Sequence, residues 1–242
     1  IIHNDVYHGG NQNADTGVFL PVFSDGEHVG WVAAKGHMAD IGGMTAGGYD
    51  PNARDVWQES LRIPPLKLAD RGVERKDVWD FLSANIRFGY VIEDMRSMVG
   101  ACKIGAGRLG EVINRYGFDS YVEHFNYILE SSARQVRAEV ERWPDGTYRG
   151  ESFMTSDGFD TTKRYRVAVE ITIQGSNITF DFSESDDQAP GITNMPPASA
   201  KGAVRIAFLM LLAAGGISIP TNQGLFEPIE TVFREGSMGL TP

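Results

Sequence analysis

The sequence predicts an α+β fold, mixed β-hairpins and sheets with a central helical section, and three observations carry that prediction. Two pairs of runs rich in β-branched and aromatic residues are each joined by a short turn, Ser24-Asp25-Gly26-Glu27 in one and Gly175-Ser176-Asn177 in the other, as hairpins are. Between them, after Pro64-Pro65, apolar residues recur at helical rather than alternating spacing. The 242 residues are 42% hydrophobic and 22% charged, which supplies a substantial core for one large domain or two small ones.

Taken in order, Ile1-Ile2 reads as the tail of a strand entering a turn at His3-Asn4-Asp5, without a starting methionine. The chain is therefore read as a fragment of a larger multi-element subunit. Residues 16–23 and 29–34 form the first hairpin, and the polar segments flanking it, 4–15 and 36–48, meet at one of its ends because antiparallel pairing makes them neighbours. Four glycines in seven residues make 42–48 a loop. Val78, Phe81, Leu82 and Ile86 place a helix over 73–87, and a long helix over 91–115 follows, with Met95 and Met98 in its core face and Gly117 as its stop. Asp119 is placed to cap the next helix, whose apolar stripe Val122, Phe125, Leu129, Val136 and Val140 ends before Pro144. Residues 165–173 alternate and 178–182 run back, giving the second hairpin, and the acidic stretch 181–187 reads as a solvated turn. The apolar run 206–214 reads as a buried helix, a strand follows around 230–234, and 239–242 fall in a loop. Three sections result: a β and loop segment 1–65 carrying the candidate site, a helical section 66–143, and a hairpin-plus-helix section 144–242.

A net charge of −10 opposes binding to polyanions, so no nucleic-acid partner is expected. The 206–214 run falls short of the roughly 20 residues that span a bilayer, and no membrane role is expected. The single Cys102 excludes an internal disulfide and fits a reducing compartment, with the cytoplasm as the expectation. No GxSxG elbow, HExxH, phosphate loop or CxxC pair is present. Residues 105–110 match GxGxxG, but inside a helical pattern rather than after a strand, which argues against a dinucleotide site.

Chemistry is expected where histidines gather. Four of the five, His3, His8, His28 and His37, lie in the first forty residues, beside Asp5, Asp15 and Asp40. His8 precedes Gly9-Gly10, which let backbone approach a ligand closely, and His37 leaves a strand toward Asp40. His3 and His28 read as turn residues and His124 as a surface helix residue. Glu59 reads either as a helix-end charge or as an acid behind the site.

Five motifs in one order, HNDVYHGG, GHMADIGG, ESLRIPP, Thr193-Asn194-Met195-Pro196 before a helix, and Asn222-Gln223-Gly224-Leu225-Phe226-Glu227-Pro228-Ile229, resemble the hydantoinase B/5-oxoprolinase family. The resemblance spans the whole chain and is nearest in kind to acetophenone and acetone carboxylase subunits. It implies a B-type subunit in a hetero-oligomer with an A-type, kinase-like subunit that binds ATP with magnesium and phosphorylates the oxygen of a small-molecule substrate. It also implies a zinc or manganese site at Gln12, Asp15 and His37 with an acid upstream of Ile1. Gln12 stands where the family has a histidine, and an amide oxygen is a much poorer ligand for these metals. Met38 likewise replaces a second histidine. Lactam hydrolysis calls for an activated water, so the weakened metal site points instead to carboxylation of a phosphorylated enol by activated bicarbonate, giving a β-keto acid. In that reading His37 and His8 move charge or protons, Asp15 orients them, Asp5, Gly9, Gly10 and Asp40 contact substrate, and loop 42–48 excludes water. The alternatives are an ATP-dependent cyclic-amide hydrolase subunit and a non-catalytic scaffold subunit.

Overall fold

The computed structural model describes residues 1–238, so the loop expected at 239–242 lies outside the described residues. The chain forms two compact units, Ile1–Phe118 and Asp119–Pro242, and the mixed α and β content expected from the sequence is present in both.

In the first unit β1 (Ile2–His3), β2 (Asp15–Ser24) and β3 (Glu27–His37) form an antiparallel sheet in the order β1-β2-β3. Asp25 and Gly26 both take positive φ, 49° and 85°, which gives the hairpin turn the backbone hand that matches strand twist. The ladder runs from Ser24 opposite Glu27 to Asp15 opposite His37. After the short α1 (Val56–Glu59) and a two-stranded ribbon, β4 (Ala69–Asp70) with β5 (Val73–Glu74), come α2 (Lys76–Asn85) and α3 (Gly89–Tyr116). The helix expected from residue 73 begins only at Lys76, because Val73 pairs in the ribbon.

The long helix packs against β2 and β3, and Val91, Ile92, Met95 and Cys102 join Ile2, Val18, Ile41, Ile63 and Leu82 in one buried core. The approach is close enough that a Cβ on Gly105 would sit 2.7 Å from Val32 Cγ1. The GxGxxG match is thus a helix-to-strand packing feature within α3, which ends at Gly117 as expected.

The second unit is built on α4 (Phe118–Val140), a four-stranded sheet and α5 (Pro197–Ala214). Asp119 lies in the first turn of α4 rather than at its cap. Only the C-terminal part of the expected stripe is buried, through Ser132, Ala133, Val136 and Val140, while Val122 and Phe125 are exposed. Strands β6 (Gly146–Met154), β7 (Tyr165–Gln174), β8 (Asn177–Asp181) and β9 (Ile229–Val232) lie in that order, antiparallel except for the parallel β8–β9 pair.

The expected buried helix proves longer and less buried than the 206–214 run suggests. Phe208 and Leu212 pack with Val136, Val140, Ile178 and Leu225, and Val204 is buried too, whereas Ile206, Met210 and Leu211 are exposed. With 18 residues, α5 is long and apolar enough to cross a membrane by length and composition alone, a property its nine-residue apolar core run did not reveal. Nor is the acidic stretch a merely solvated turn: the Arg166 amide donates to Asp186 (2.7 Å) and Arg234 donates to Asp187 (2.8 Å).

Candidate functional site

The open end of the β2–β3 hairpin gathers the site. Asp15 begins β2 and His37 ends β3, and as ladder partners they bring their side chains together. His37 Nδ1 donates to Asp15 Oδ1 at 2.7 Å, and the ring is half-exposed, with no hydrogen bond to Nε2 among the described residues. Gln12 Nε2 donates to the same carboxylate oxygen at 2.9 Å, while its Oε1 accepts from Tyr49 at 2.5 Å. The 3.3 Å approach of Gln12 Nε2 to His37 Nδ1 is therefore two donors sharing one acceptor.

Asn11 donates to Asp15 Oδ2 at 2.6 Å, and Lys35 Nζ stands 3.4 Å from that oxygen while donating to Asn11. Burial pushes the Asp15 carboxyl up, but hydrogen bonds from Asn11, His37 and Gln12 and the Lys35 charge outweigh it and hold Asp15 below the usual carboxylate value.

Tyr49 covers the dyad. Its ring lies 5.8 Å from that of His37 with 18° between their planes. Burial, then the Asp15 charge, raises its phenol above the usual value against the opposing Gln12 hydrogen bond. Tyr49 also has φ 53°, a left-handed conformation costly for a residue with a Cβ.

What holds it there is the glycine loop. Asp40, fully buried, accepts from the amides of Gly42 (3.0 Å) and Gly47 (2.8 Å) and from Arg87 Nη1 (3.0 Å). Burial alone would raise its carboxyl, and these bonds reverse that and lower it. Gly43 has φ 87°, and a Cβ there would lie 2.3 Å from the Glu59 carbonyl oxygen, so only glycine allows the loop to pass. Glu59 accepts from Asn13 at 3.1 Å, and its carboxyl is raised by burial, with a further push from Asp55 against the Asn13 bond.

His8 belongs to a neighbouring cluster. Asp5 caps the 3-10 turn Val6–His8 by accepting from the Tyr7 amide (3.0 Å), and its second oxygen faces His8 Nδ1 (3.0 Å) and Arg62 Nε (3.4 Å). Gly9 takes φ 92°, and a Cβ on Gly10 would meet the Asn4 carbonyl oxygen at 2.7 Å, so both glycines shape this turn. The structure thus joins Asp15 to His37 and Gln12, and pairs His8 with Asp5.

His3 lies in β1 rather than in a turn and stacks on Phe19 of β2, and His28 lies in β3 beside Trp31 rather than in the turn. Tyr49, Lys35, Asn11 and Arg62 escaped the sequence reading. For Lys35 a signal existed, since it stands two residues before His37 on one strand and so shares its face.

The donor set does not fit a zinc or manganese centre. Asp15 and His37 are its two ligand-type side chains, and Asn11 and the Lys35 ammonium take the second oxygen of the carboxylate. Among the described residues no three His, Cys, Asp or Glu side chains gather as metal ligands would.

Residues 1–241 match the family described as Hydantoinase B/oxoprolinase. Caprolactamase subunit beta of Pseudomonas jessenii is 33% identical over 227 residues, 93% of this chain and 38% of that protein. The crystal structure of ATP-dependent caprolactamase from the same organism aligns over 100% of this chain and 41% of its own, with a TM-score of 0.90 at 30% identity. Acetophenone carboxylase delta subunit of Aromatoleum aromaticum is 27% identical over 199 residues, 81% of this chain and 29% of that protein. The chain spans about two fifths of the length of the caprolactamase subunit. Matched over almost its whole length, the chain belongs to the hydantoinase B/oxoprolinase family.

Proposed function

We propose that this chain carries the proton-transfer site of a B-type subunit that completes an ATP-dependent ring opening of a cyclic amide. The observation that carries the reading is the 2.7 Å bond from His37 Nδ1 to Asp15 Oδ1, which fixes the imidazole tautomer with Nε2 as an open acceptor. An A-type, kinase-like partner binds ATP with magnesium and phosphorylates the amide oxygen. Water then adds to the carbon bearing that oxygen, giving its proton to His37 Nε2. As the carbon–nitrogen bond breaks, His37 returns the proton to the departing amine, and a second water releases phosphate from the acyl phosphate. Asp15 stays ionised and stabilises the imidazolium, Gln12 and Tyr49 hold the pair in register, and Asp40 holds the glycine loop that shelters it. Buried Asp5, with Gly9 and Gly10 shaping its turn, holds His8 in the segment that leads to Gln12.

Taken alone, Gln12 favours carboxylation. The caprolactamase relative, at 33% identity against 27% for the acetophenone carboxylase subunit, favours the amide. Ketone carboxylation remains the second reading, supported by the Lys35 ammonium 3.4 Å from Asp15, a charge suited to a bicarbonate-derived anion. The test is an assay of the complex with its A-type partner, ATP and a panel of lactams, hydantoins and ketones with labelled bicarbonate. Ring-opened amide supports the proposal, and label entering a ketone without ring opening supports the second reading.

A further inference from the structure

Arg62 has one edge committed and the other open. Its backbone is held rigidly, because the fully buried Asn4 donates to the Leu61 carbonyl (2.9 Å) and accepts from the Ile63 amide (2.7 Å) on either side of it. Its Nε faces Asp5, whose side chain is 1% exposed, so the buried carboxylate neutralises and orients the inner edge of the guanidinium. Among the described residues no hydrogen bond takes its terminal amino groups. The plane is flanked by two rings, Tyr7 at 5.4 Å and Trp57 at 5.8 Å, both within cation–π range. Neither ring belongs to the core: Tyr7 is 51% exposed and Trp57 71%. A guanidinium locked on its inner edge and walled by open aromatic faces presents a forked donor to solvent, which is the geometry that takes up two oxygens of an anion. His8, half-exposed, shares the same Asp5 oxygen through its Nδ1.

We propose that Arg62, Tyr7 and Trp57 form a binding subsite for an organic oxyanion, a carboxylate or a phosphate monoester, borne on a flat or apolar body. The oxyanion lies on the terminal amino groups of Arg62 and the body lies against the two rings. This inference does not depend on the reaction proposed above, because binding alone reads it.

Calorimetric titration of the purified protein with benzoate, phenyl phosphate, benzamide and inorganic phosphate tests it. One molecule of benzoate or phenyl phosphate should bind per chain, with the neutral benzamide about tenfold weaker or more, as loss of a charge-assisted bond implies. The tighter of the two anions names the oxyanion class. Arg62→Gln should weaken that binding about tenfold or more. Trp57→Ala, a surface change that leaves the core intact, should weaken the aryl anion several-fold and leave inorganic phosphate unaffected, and it decides the matter alone if Arg62→Gln fails to fold. Benzamide binding as tightly as benzoate, or aryl-anion affinity unchanged in Trp57→Ala, overturns the proposal.

Discussion

His37 Nδ1 lies 2.7 Å from Asp15 Oδ1, and the two residues face each other as the last pair of the β2–β3 ladder. Their contact is a product of strand register rather than of a flexible loop. Register is set by the tight Asp25-Gly26 turn together with a bulge opposite Val22 and Phe23, which shifts the pairing by one residue and so places Asp15 opposite His37 rather than Gly36, and burial of Thr16, Val18 and Val22 on one face holds it. Two side chains mounted this way are held in place before any ligand arrives.

Tyr49→Phe removes the donor to Gln12 Oε1 while keeping the ring over His37. Stability should fall by about 1 kcal/mol in urea denaturation, the usual net value of such a bond. Turnover should fall with it, because Gln12 then loses the anchor that aims its amide at Asp15.

Gln12→His should restore a third ligand-type side chain beside Asp15 and His37. Cobalt(II) titration should then give visible absorption with about one equivalent bound, where the unaltered protein stays silent at the same concentration.

Arg87→Ala removes the charged donor and leaves the Asp40 carboxylate buried with the amides of Gly42, Gly47 and residue 87. Losing a charged donor from a buried carboxylate should cost about 2 kcal/mol. The pH dependence has a definite sign. Asp40 is held below its ordinary 3.8, so its contribution is fully present above that value and is lost as pH falls through the lower, folded-state value. Without Arg87 that value moves up, and acid unfolding followed by circular dichroism should begin at a higher pH than in the unaltered protein.

Much of this was legible in advance because local chemistry agrees with the fold. Asp25-Gly26 marks the first turn, Gly117 ends the long helix, and antiparallel pairing brings the two ends of the hairpin together, while the bulge that sets residue 15 opposite 37 left no sequence signal. Strand β6 was not legible, since Gly146, Arg149, Gly150 and Glu151 show no apolar alternation and pair only through β7. The part of α4 carrying Val122 and Phe125 reads as core yet stays exposed, because periodicity reports a face and not what covers it. Tyr49 was invisible for a different reason: its place over His37 depends on how the glycine loop is folded back by Asp40 and Arg87, a contact 47 residues apart in the chain.

The most direct test of the account is the ATP-dependent turnover of the complex carrying His37→Ala, with Asp15→Asn beside it. If the dyad moves the proton, kcat for ring opening of the amide should drop about 100-fold in His37→Ala with KM little changed, and Asp15→Asn should show a smaller loss of the same kind. Full turnover in His37→Ala would contradict the account and leave this chain as a scaffold for catalysis performed elsewhere.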